Sequence, residues 1–270
     1  MNKIKMICLD IDGTLLNSRH EISEGTKAAI KIASNERQIP VILVSARMPK
    51  GILFLQEELE IEQPIICYSG ALILDKSNNI LSKNIIPAHN LERLYKLVCN
   101  EKVHMSLYKD DEWYIEKMDY WAKQESDITN ITPKIMDFNS LIQLWVQEGT
   151  GPNKILCMAE PDEINLLKGK VKDYDLNIYP SKATYLEIMP KEASKTSAIS
   201  VLKEKFGIER DEILAMGDNY NDMDMIEYAG LGIAMGNAPD KVKKCANKVA
   251  LTNDEDGVAE AIREYVLASD

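Results

Sequence analysis

The stretch Met6–Thr14, which reads MICLDIDGT, decides the fold. It opens on a short apolar run, and similar runs follow at Val41–Val44 and Ile65–Tyr68. Runs of this length that are apolar throughout are typical of strands buried on both faces of a parallel sheet. Between the first two runs, the chain from Ser23 to Glu36 has helical spacing of its apolar residues and begins at a residue suited to an N-cap. The N-terminal third therefore predicts strands alternating with helices, the pattern of an α/β fold.

The C-terminal third repeats this alternation. A helix is predicted from Ser194 to Phe206, with Gly207 as its stop, followed by a strand over Ile213–Met216. Three more elements are expected after them: a helix near Asp222–Ala229, a strand near Leu231–Ala234 and a helix near Gly257–Leu267.

The middle of the chain has a different pattern. The β-rich runs Val103–Tyr108 and Glu112–Glu116 predict a hairpin, and Pro87 and Pro190 lie near the edges of this region, as prolines in linkers often do. We therefore expect an inserted α+β domain over residues 83–188. Residues 1–82 and 189–270 would form the core, a Rossmann-like parallel sheet with helices on both faces.

Composition excludes several classes of partner. The 270 residues carry a formal net charge of −11, which argues against a broad nucleic-acid or anionic-membrane surface. No apolar run reaches the ~18 residues of a membrane span, and no signal-peptide region is visible. The five cysteines form no C-x-x-C pair, which favours free thiols in a reducing compartment and hence a cytoplasmic protein. We expect a small-molecule partner and a monomer or small homo-oligomer.

Carboxylates follow two of the predicted strands directly. Asp10 and Asp12 come after the first strand, and Asp218 comes after the strand at 213–216. Ligands of open α/β sheets bind at the carboxyl ends of strands, and two carboxylates this close repel each other unless a cation lies between them. A solvated turn is the alternative, since Asp and Gly favour turns. A calcium loop of the EF-hand type is excluded, because Cys8 and Arg19 would occupy ligand positions.

Asp222 has a simpler explanation, because acidic residues are favoured in the first turn of a helix. Asp218 has no such explanation and would lie beside Asp10 if their strands are neighbours. Three or four carboxylates at one sheet edge indicate a hard divalent cation with oxygen ligands.

Two further segments could bind an anion. Ser45–Arg47 places a hydroxyl and backbone N–H groups at a strand end, although for this segment taken by itself a helix N-cap is the favoured explanation of the serine. Lys195 lies in the first turn of a predicted helix, where a cation opposes the macrodipole. Anion binding and an exposed lysine tolerated at small cost are both open there.

These residue types fit one reaction. A carboxylate can accept a phosphoryl group, while Mg²⁺ and a lysine neutralise the charge of the phosphate. A second carboxyl can protonate the leaving alcohol and then activate the water that hydrolyses the acyl phosphate.

Along essentially its whole length, the chain resembles the haloacid-dehalogenase superfamily, and specifically its Cof-like phosphatases. Four segments carry the resemblance in order, with a large insert before the third: Asp10–Thr14, Ser45–Arg47, Lys195 and Gly217–Asp222. The chain departs from common family patterns with Ser45-Ala46-Arg47 for Thr-Gly-Arg, Ser69-Gly70-Ala71 for Asn-Gly-Ala and Lys195-Thr196 for Lys-Gly.

The resemblance implies a role for each segment, with Mg²⁺ as the cofactor and the insert as a cap that sets specificity. Asp10 would be the nucleophile and a metal ligand, and Asp12 the acid/base, with its backbone carbonyl on the metal. Asp218 and Asp222 would complete the metal site. The phosphoryl group would be bound by Ser45, Ala46, Arg47, Lys195 and Asn221.

The expected function is hydrolysis of a small phosphomonoester, such as a sugar phosphate or a related metabolite. A phosphomutase or phosphotransferase of the same fold is one alternative. A non-catalytic binding protein is another, but it would need a broken motif, and the acidic positions are all present.

Overall fold

The computed structural model describes residues 3–99 and 101–268. Contacts divide the chain into two compact units, with boundaries after Ser82 and after Ala193; residues 48–51 go with the second unit. The sequence placed the return to the core at residue 189, whereas the contacts group residues 189–193 with the second unit. The physical reason is that the strand Tyr185–Pro190 is hydrogen-bonded into the sheet of the second unit.

Strands and helices are numbered in chain order. The strands are β1 Met6–Asp10, β2 Val41–Val44, β3 Ile65–Cys67, β4 Leu72–Leu74, β5 Ile80–Lys83, β6 His104–Lys109, β7 Glu112–Ile115, β8 Lys134–Ile135, β9 Lys154–Met158, β10 Leu176–Lys182, β11 Tyr185–Pro190, β12 Ile213–Gly217, β13 Leu231–Ala234 and β14 Lys248–Val249. The α-helices are α1 Glu24–Lys31, α2 Lys50–Leu59, α3 Ala88–Val98, α4 Tyr120–Thr129, α5 Phe138–Gln147, α6 Pro161–Val171, α7 Lys195–Phe206, α8 Met223–Tyr228, α9 Asp240–Cys245 and α10 Gly257–Ile262. Over the described ranges, every helix is too short or too polar to cross a membrane.

The sheet of the first unit has the order β14-β13-β12-β1-β2-β3-β4-β5. The six strands from β14 to β3 run parallel, and β4 is antiparallel to β3. All five residues of β1 are buried, and β12 and β2 are its parallel neighbours. The predicted α/β core is therefore confirmed, and it places the carboxyl ends of β1, β2 and β12 side by side.

Helices cover this sheet. Met6 and Cys8 pack in one cluster with Ala198, Ile199 and Leu202 of α7. Side chains alternate along a strand, so the intervening residues of β1 face the opposite side. Helices α1 and α10, which contact each other, contribute their buried residues outside that cluster.

The helix boundaries follow from local capping. Ser23 accepts a hydrogen bond from the backbone N–H of Thr26 at 3.1 Å, and Ser194 accepts one from Ser197 at 3.0 Å. Gly207 ends α7 with a φ of 65°, the left-handed conformation that glycine adopts freely. The predicted helix starts at Ser23 and Ser194, and the predicted stop at Gly207, are thus confirmed.

The second unit has its own sheet and core. The strand order is β10-β11-β9-β6-β7-β8, antiparallel except for the last pair. Strands β6 and β7 form the predicted hairpin, with Lys109 paired to Glu112. Helices α3, α5 and α6 pack against one face of the sheet in a single apolar cluster.

Buried polar side chains lie on the other face of this sheet. The ring of His104 contacts Asp119 through Nδ1 and Ser106 through Nε2, each at 2.9 Å. Lys154 and Glu187, both largely buried, form an ion pair at 2.7 Å. Burial lowers the pKa of His104 below its ordinary value, despite the opposing effect of Asp119.

Candidate active site

The carboxyl edge of the first unit's sheet collects the residues that the sequence singled out. Asp10 is the last residue of β1, Ser45 directly follows β2, and Asp218 directly follows β12. Because these three strands are parallel neighbours, the residues emerge at one edge. Helix α7 begins with Lys195, whose side chain reaches the same edge.

Lys195 is the centre of the site. Its side chain has no exposed surface, and Nζ donates to Oδ1 of Asp10 and to Oδ1 of Asp222, both at 2.5 Å. A third bond of 3.3 Å goes to the backbone carbonyl of Val44. Burial alone would lower the pKa of Lys195, but Asp10 and Asp222 raise it above its ordinary value, so the ammonium is charged. An exposed lysine, one of the two sequence interpretations, is therefore excluded.

The side chain of Asp222 makes specific hydrogen bonds, in addition to lying near the start of a helix, where acidic residues are favoured. It is fully buried, and its Oδ2 accepts hydrogen bonds from the backbone N–H groups of Asp218 at 3.0 Å and Asn219 at 2.9 Å. Its other oxygen binds Lys195. The simple explanation from helix electrostatics is insufficient, because this side chain shapes the loop after β12 and links it to α7.

Three carboxylates converge beside this lysine. Asp10, Asp218 and Asp222 each offer an oxygen, and these atoms lie within 4.8 Å of one another. If all three were ionised, they and the single ammonium of Lys195 would leave a local charge of about −2, the complement of a divalent cation.

The electrostatics of the cluster oppose ionisation of its carboxyl groups and therefore favour the binding of a cation. Burial, followed by repulsion from Asp222, raises the pKa of Asp218 to about 7. The same two causes, in that order, raise the pKa of Asp10 above its ordinary value in spite of Lys195. The Oδ1 atom of Asp218 is buried and makes no hydrogen bond of normal geometry within the described residues, although the nearby Thr14 hydroxyl opposes the rise in pKa. An all-oxygen donor set with an unsatisfied carboxylate oxygen fits Mg²⁺.

Gly13 and Asn237 complete this edge, and the sequence assigned neither a role. Gly13 has a φ of 82°, and a Cβ there would lie 2.4 Å from Oδ2 of Asp218. Asn237 donates to the carbonyl of Gly13 at 2.9 Å and approaches Oδ2 of Asp218 at 3.4 Å. The signal that could have found Asn237 is its position soon after β13, which ends at the same sheet edge.

Arg47 forms an ion pair with Asp12. Its Nε donates to Oδ2 of Asp12 at 2.9 Å and its Nη2 to Oδ1 at 2.6 Å, a two-pronged contact. The Asp12 side chain is half-exposed and lies outside the cluster of buried carboxylates. While this contact is formed, both oxygens of Asp12 are occupied.

The loop that follows β2 is hydrogen-bonded to the backbone of Tyr68 and Ser69, two residues in a strained conformation. Tyr68 and Ser69 both adopt left-handed φ values, 52° and 50°, and donate backbone N–H groups to the carbonyls of Arg47 and Ser45. The hydroxyl of Ser45 is buried and accepts from the N–H of Arg47 at 3.2 Å; because α2 begins only at Lys50, this contact belongs to a local turn and is not the helix N-cap that the sequence allowed. Non-glycine residues in this conformation persist only where the surroundings enforce it, and they cluster at functional sites.

Ala46 and Asn221 are the remaining predicted phosphate ligands. Ala46 is half-buried in this loop, between Ser45 and Arg47. Asn221 is half-buried in the short 3₁₀ turn Tyr220–Asp222. Both therefore lie on loops of the carboxyl edge.

Comparison with known proteins agrees with this geometry. A sequence profile of the haloacid dehalogenase-like hydrolases matches residues 7–262. The chain belongs to this family. A putative phosphatase from Haemophilus influenzae is 37% identical over 265 residues, covering 96% of this chain and 97% of the relative.

Two further proteins are similar to this chain over nearly its whole length, and they indicate its branch within the family. A 5-amino-6-(5-phospho-D-ribitylamino)uracil phosphatase from Bacillus subtilis is 30% identical, covering 98% of this chain and 96% of its own length. The crystal structure of a haloacid dehalogenase-like hydrolase from Bacteroides thetaiotaomicron superimposes with a TM-score of 0.88 at 34% identity, covering 97% of this chain and 99% of that one. The chain is thus a Cof-like enzyme of the phosphatase type.

Proposed function

We propose that the protein hydrolyses a small phosphomonoester in a Mg²⁺-dependent reaction, through a phospho-aspartyl intermediate on Asp10. One observation carries the proposal: Asp10 lies at the end of a buried strand with only one carboxylate oxygen engaged. Among the described residues, the side-chain hydrogen bond to this carboxylate comes from Lys195 and goes to Oδ1, not to Oδ2. That oxygen is available as a nucleophile.

The residues of the chain account for both halves of the reaction. Oδ2 of Asp10 attacks phosphorus as the bond to the leaving oxygen breaks, and the carboxyl of Asp12 donates its proton to that oxygen. A water then attacks the acyl phosphate while Asp12 takes its proton, and the bond between phosphorus and Asp10 breaks to release inorganic phosphate. The pairing of Arg47 with Asp12 must open during this cycle, since it occupies both oxygens of the acid/base group.

The surrounding residues would hold the phosphoryl group and the cofactor. Lys195, Asn221 and the loop Ser45–Arg47 lie at the same edge as Asp10 and could contact the phosphoryl oxygens. Asp10, Asp218 and Asp222, with the backbone carbonyl of Asp12, would hold Mg²⁺. When bound, Mg²⁺ supplies the positive charge that phosphoryl transfer requires.

A phosphorylated sugar or a related polyol phosphate is the substrate class that we propose. The support is the Bacillus subtilis relative, whose name gives a phosphate on a ribityl chain. The second unit, residues 83–193, would act as the cap that selects the organic part of the substrate.

The experiment is phosphate release from p-nitrophenyl phosphate and from a panel of sugar and polyol phosphates, with Mg²⁺ or with EDTA. Wild type should turn over only with the metal, and Asp10→Asn should be inactive. Asp224→Asn is a matched control, because Asp224 is an exposed carboxylate of the same segment. Loss of activity in both variants, or turnover in EDTA, would contradict the proposal. Isomerisation of a sugar phosphate without phosphate release would favour a mutase instead.

A further inference from the structure

The ion pair between Arg47 and Asp12 engages two groups that the proposed reaction needs. Asp12 follows the end of β1 by two residues and Arg47 follows the end of β2 by three, and these strands are parallel neighbours. The guanidinium donates through Nε to Oδ2 of Asp12 at 2.9 Å and through Nη2 to Oδ1 at 2.6 Å. One contact therefore occupies both oxygens of the proposed acid/base group and two N–H donors of the cation.

The buried cation of the site is fully committed to other partners. An ammonium group has three N–H donors. Those of Lys195 go to Asp10, to Asp222 and to the backbone carbonyl of Val44, and its side chain has no exposed surface. The side chain of Arg47 is 27% exposed. A phosphoryl group that arrives at this edge from solvent therefore meets the guanidinium of Arg47 more readily than the ammonium of Lys195.

The pair of Arg47 and Asp12 is exposed enough for an anion to compete for it. The side chain of Asp12 is 53% exposed. Exposed ion pairs contribute little net stability, because water and salt screen them. A guanidinium binds phosphate in the same two-pronged geometry as carboxylate, and a phosphoryl dianion carries up to about twice the charge. A phosphoryl group is therefore able to displace the carboxylate from Arg47.

The backbone around this pair is anchored, so the exchange of partners needs movement of side chains alone. The N–H of Arg47 donates to Oγ of Ser45 at 3.2 Å, and its carbonyl accepts from the N–H of Tyr68 at 3.1 Å. Asp12 forms an isolated β-bridge with Leu16. The guanidinium lies at the end of a flexible side chain and can change its partner while both loops keep their shape.

We propose that Arg47 couples the binding of phosphate to the release of the acid/base group. In the free enzyme, the guanidinium holds both oxygens of Asp12. When a substrate binds, two phosphoryl oxygens accept from the same two N–H donors, and the carboxyl of Asp12 becomes available to the leaving oxygen. This coupling rests on the proposed function, in which Asp12 is the acid/base. It favours monoesters over diesters, because a diester has a single negative charge and one free oxygen fewer.

Calorimetric titration with inorganic phosphate in saturating Mg²⁺ tests the exchange. Wild type, Asp12→Asn, Arg47→Ala and the double variant form a cycle. Asp12→Asn should bind phosphate about three- to tenfold more tightly than wild type, because Arg47 no longer has a carboxylate to give up. In the Arg47→Ala background, the same change should gain less than about twofold. Equal gains in the two backgrounds, or no phosphate binding in any of the four proteins, would overturn the coupling.

Glu21→Gln is the matched control, because Glu21 forms an exposed ion pair with Arg19 at 3.0 Å. The variant removes the same charge from the same kind of pair and should leave the affinity for phosphate unchanged. A gain equal to that of Asp12→Asn would show that the net charge alone is responsible, and it would overturn the proposal.

Side-chain NMR follows the exchange directly. The Nε–H resonance of Arg47, assigned by its absence in Arg47→Ala, should shift as phosphate binds to wild type and should saturate at the calorimetric affinity. A resonance that stays in place while phosphate binds would overturn the coupling.

Phosphate binding needs no turnover, so this outcome is distinguishable from failure of the phosphatase reaction. Equal gains in the cycle together with Mg²⁺-dependent hydrolysis by wild type would overturn the coupling and leave the proposed function standing. The predicted cycle in a protein that hydrolyses no phosphomonoester would support the exchange of partners and contradict the proposed function.

Discussion

At the scale of single residues, Lys195 is buried together with the carboxylates of Asp10 and Asp222, and it forms an ion pair with each. The same lysine is unfavourable in its own helix, because its positive charge opposes the macrodipole at a cost of ~0.3–1 kcal/mol. Two carboxylates, from the end of β1 and from the turn before α8, compensate for this at 2.5 Å each. The residue is therefore held by its tertiary partners and not by its local sequence.

Replacement of Lys195 should reveal this dependence. Lys195→Met keeps much of the side-chain volume but leaves Asp10 and Asp222 buried without their cation, so we expect a loss of about 3–5 kcal/mol in the free energy of unfolding. Urea unfolding at neutral pH in EDTA measures it. Lys205→Met, an exposed lysine of the same helix, is the control and should change stability by less than about 0.5 kcal/mol. Equal stability of the two variants would contradict the ion-pair account.

Asp218 should give the metal-free protein an unusual pH dependence. Its pKa is about 7 in the folded protein against an ordinary 3.8, so between these values the folded state binds more protons than the unfolded state. The stability of wild type relative to Asp218→Asn should therefore fall as pH rises through this window.

Urea unfolding of wild type and Asp218→Asn in EDTA, at about pH 5 and about pH 8, measures this difference. Mg²⁺ should reduce the difference, because it favours the ionised carboxylate. A relative stability that rises with pH would show that the folded state favours ionised Asp218 even without metal.

At the scale of elements, short loops after buried strands build the site. The strands β1 and β12 and the capped helix α7 could be predicted, because apolar runs, Ser194 and Gly207 are local signals. The contact of Asn237 with Gly13 could not, since it joins residues 224 positions apart through side-chain geometry that no periodicity encodes. For the same reason, the sequence did not predict the pair of hydrogen bonds that Arg47 donates to Asp12.

Two glycine variants separate backbone strain from crowding at the site. Gly13→Ala and Gly207→Ala both force alanine into a left-handed conformation, which should cost about 1 kcal/mol each. Only at residue 13 would the new Cβ meet Asp218, at 2.4 Å, whereas it meets no atom within 4 Å at residue 207.

We therefore expect Gly13→Ala to lose Mg²⁺ affinity and phosphatase activity, and Gly207→Ala to keep both. Calorimetric Mg²⁺ titration and initial rates provide the measurement. Unchanged Mg²⁺ binding in Gly13→Ala would argue against Asp218 as a ligand.

At the scale of the whole molecule, the chain returns to the first unit after Ala193, later than the residue 189 that the sequence suggested. Pro190 marked the edge of a linker in the sequence, but it ends β11, which pairs with β10 and β9. A terminal proline is compatible with a strand, so the turn signal was ambiguous. The association of Asp10 with Lys195, 185 positions apart, depends on the topology that brings β1 and α7 together around the insertion.

The five cysteines give a test of the fold as a whole. All are free; Cys99 is exposed and Cys245 half-buried, and the other three are buried. Burial raises the pKa of Cys157 to about 12, which suppresses the reactive thiolate. We expect a thiol reagent to modify Cys99 fast, Cys245 slowly, and the remaining three only on unfolding. Loss of the fast phase in Cys99→Ser is the control, and rapid modification of a third thiol in the native protein would contradict the packing.

The most direct test of the central claim is to trap the covalent intermediate in Asp12→Asn. Without its acid/base group, this variant should accept the phosphoryl group from an activated aryl phosphate and release it slowly. Acid quenching, borohydride reduction of the acyl phosphate and peptide mass spectrometry then locate the modified residue. The account predicts Mg²⁺-dependent modification of Asp10, absent from Asp10→Asn. Modification at another residue, or wild-type turnover with no trapped intermediate in either protein, would contradict it.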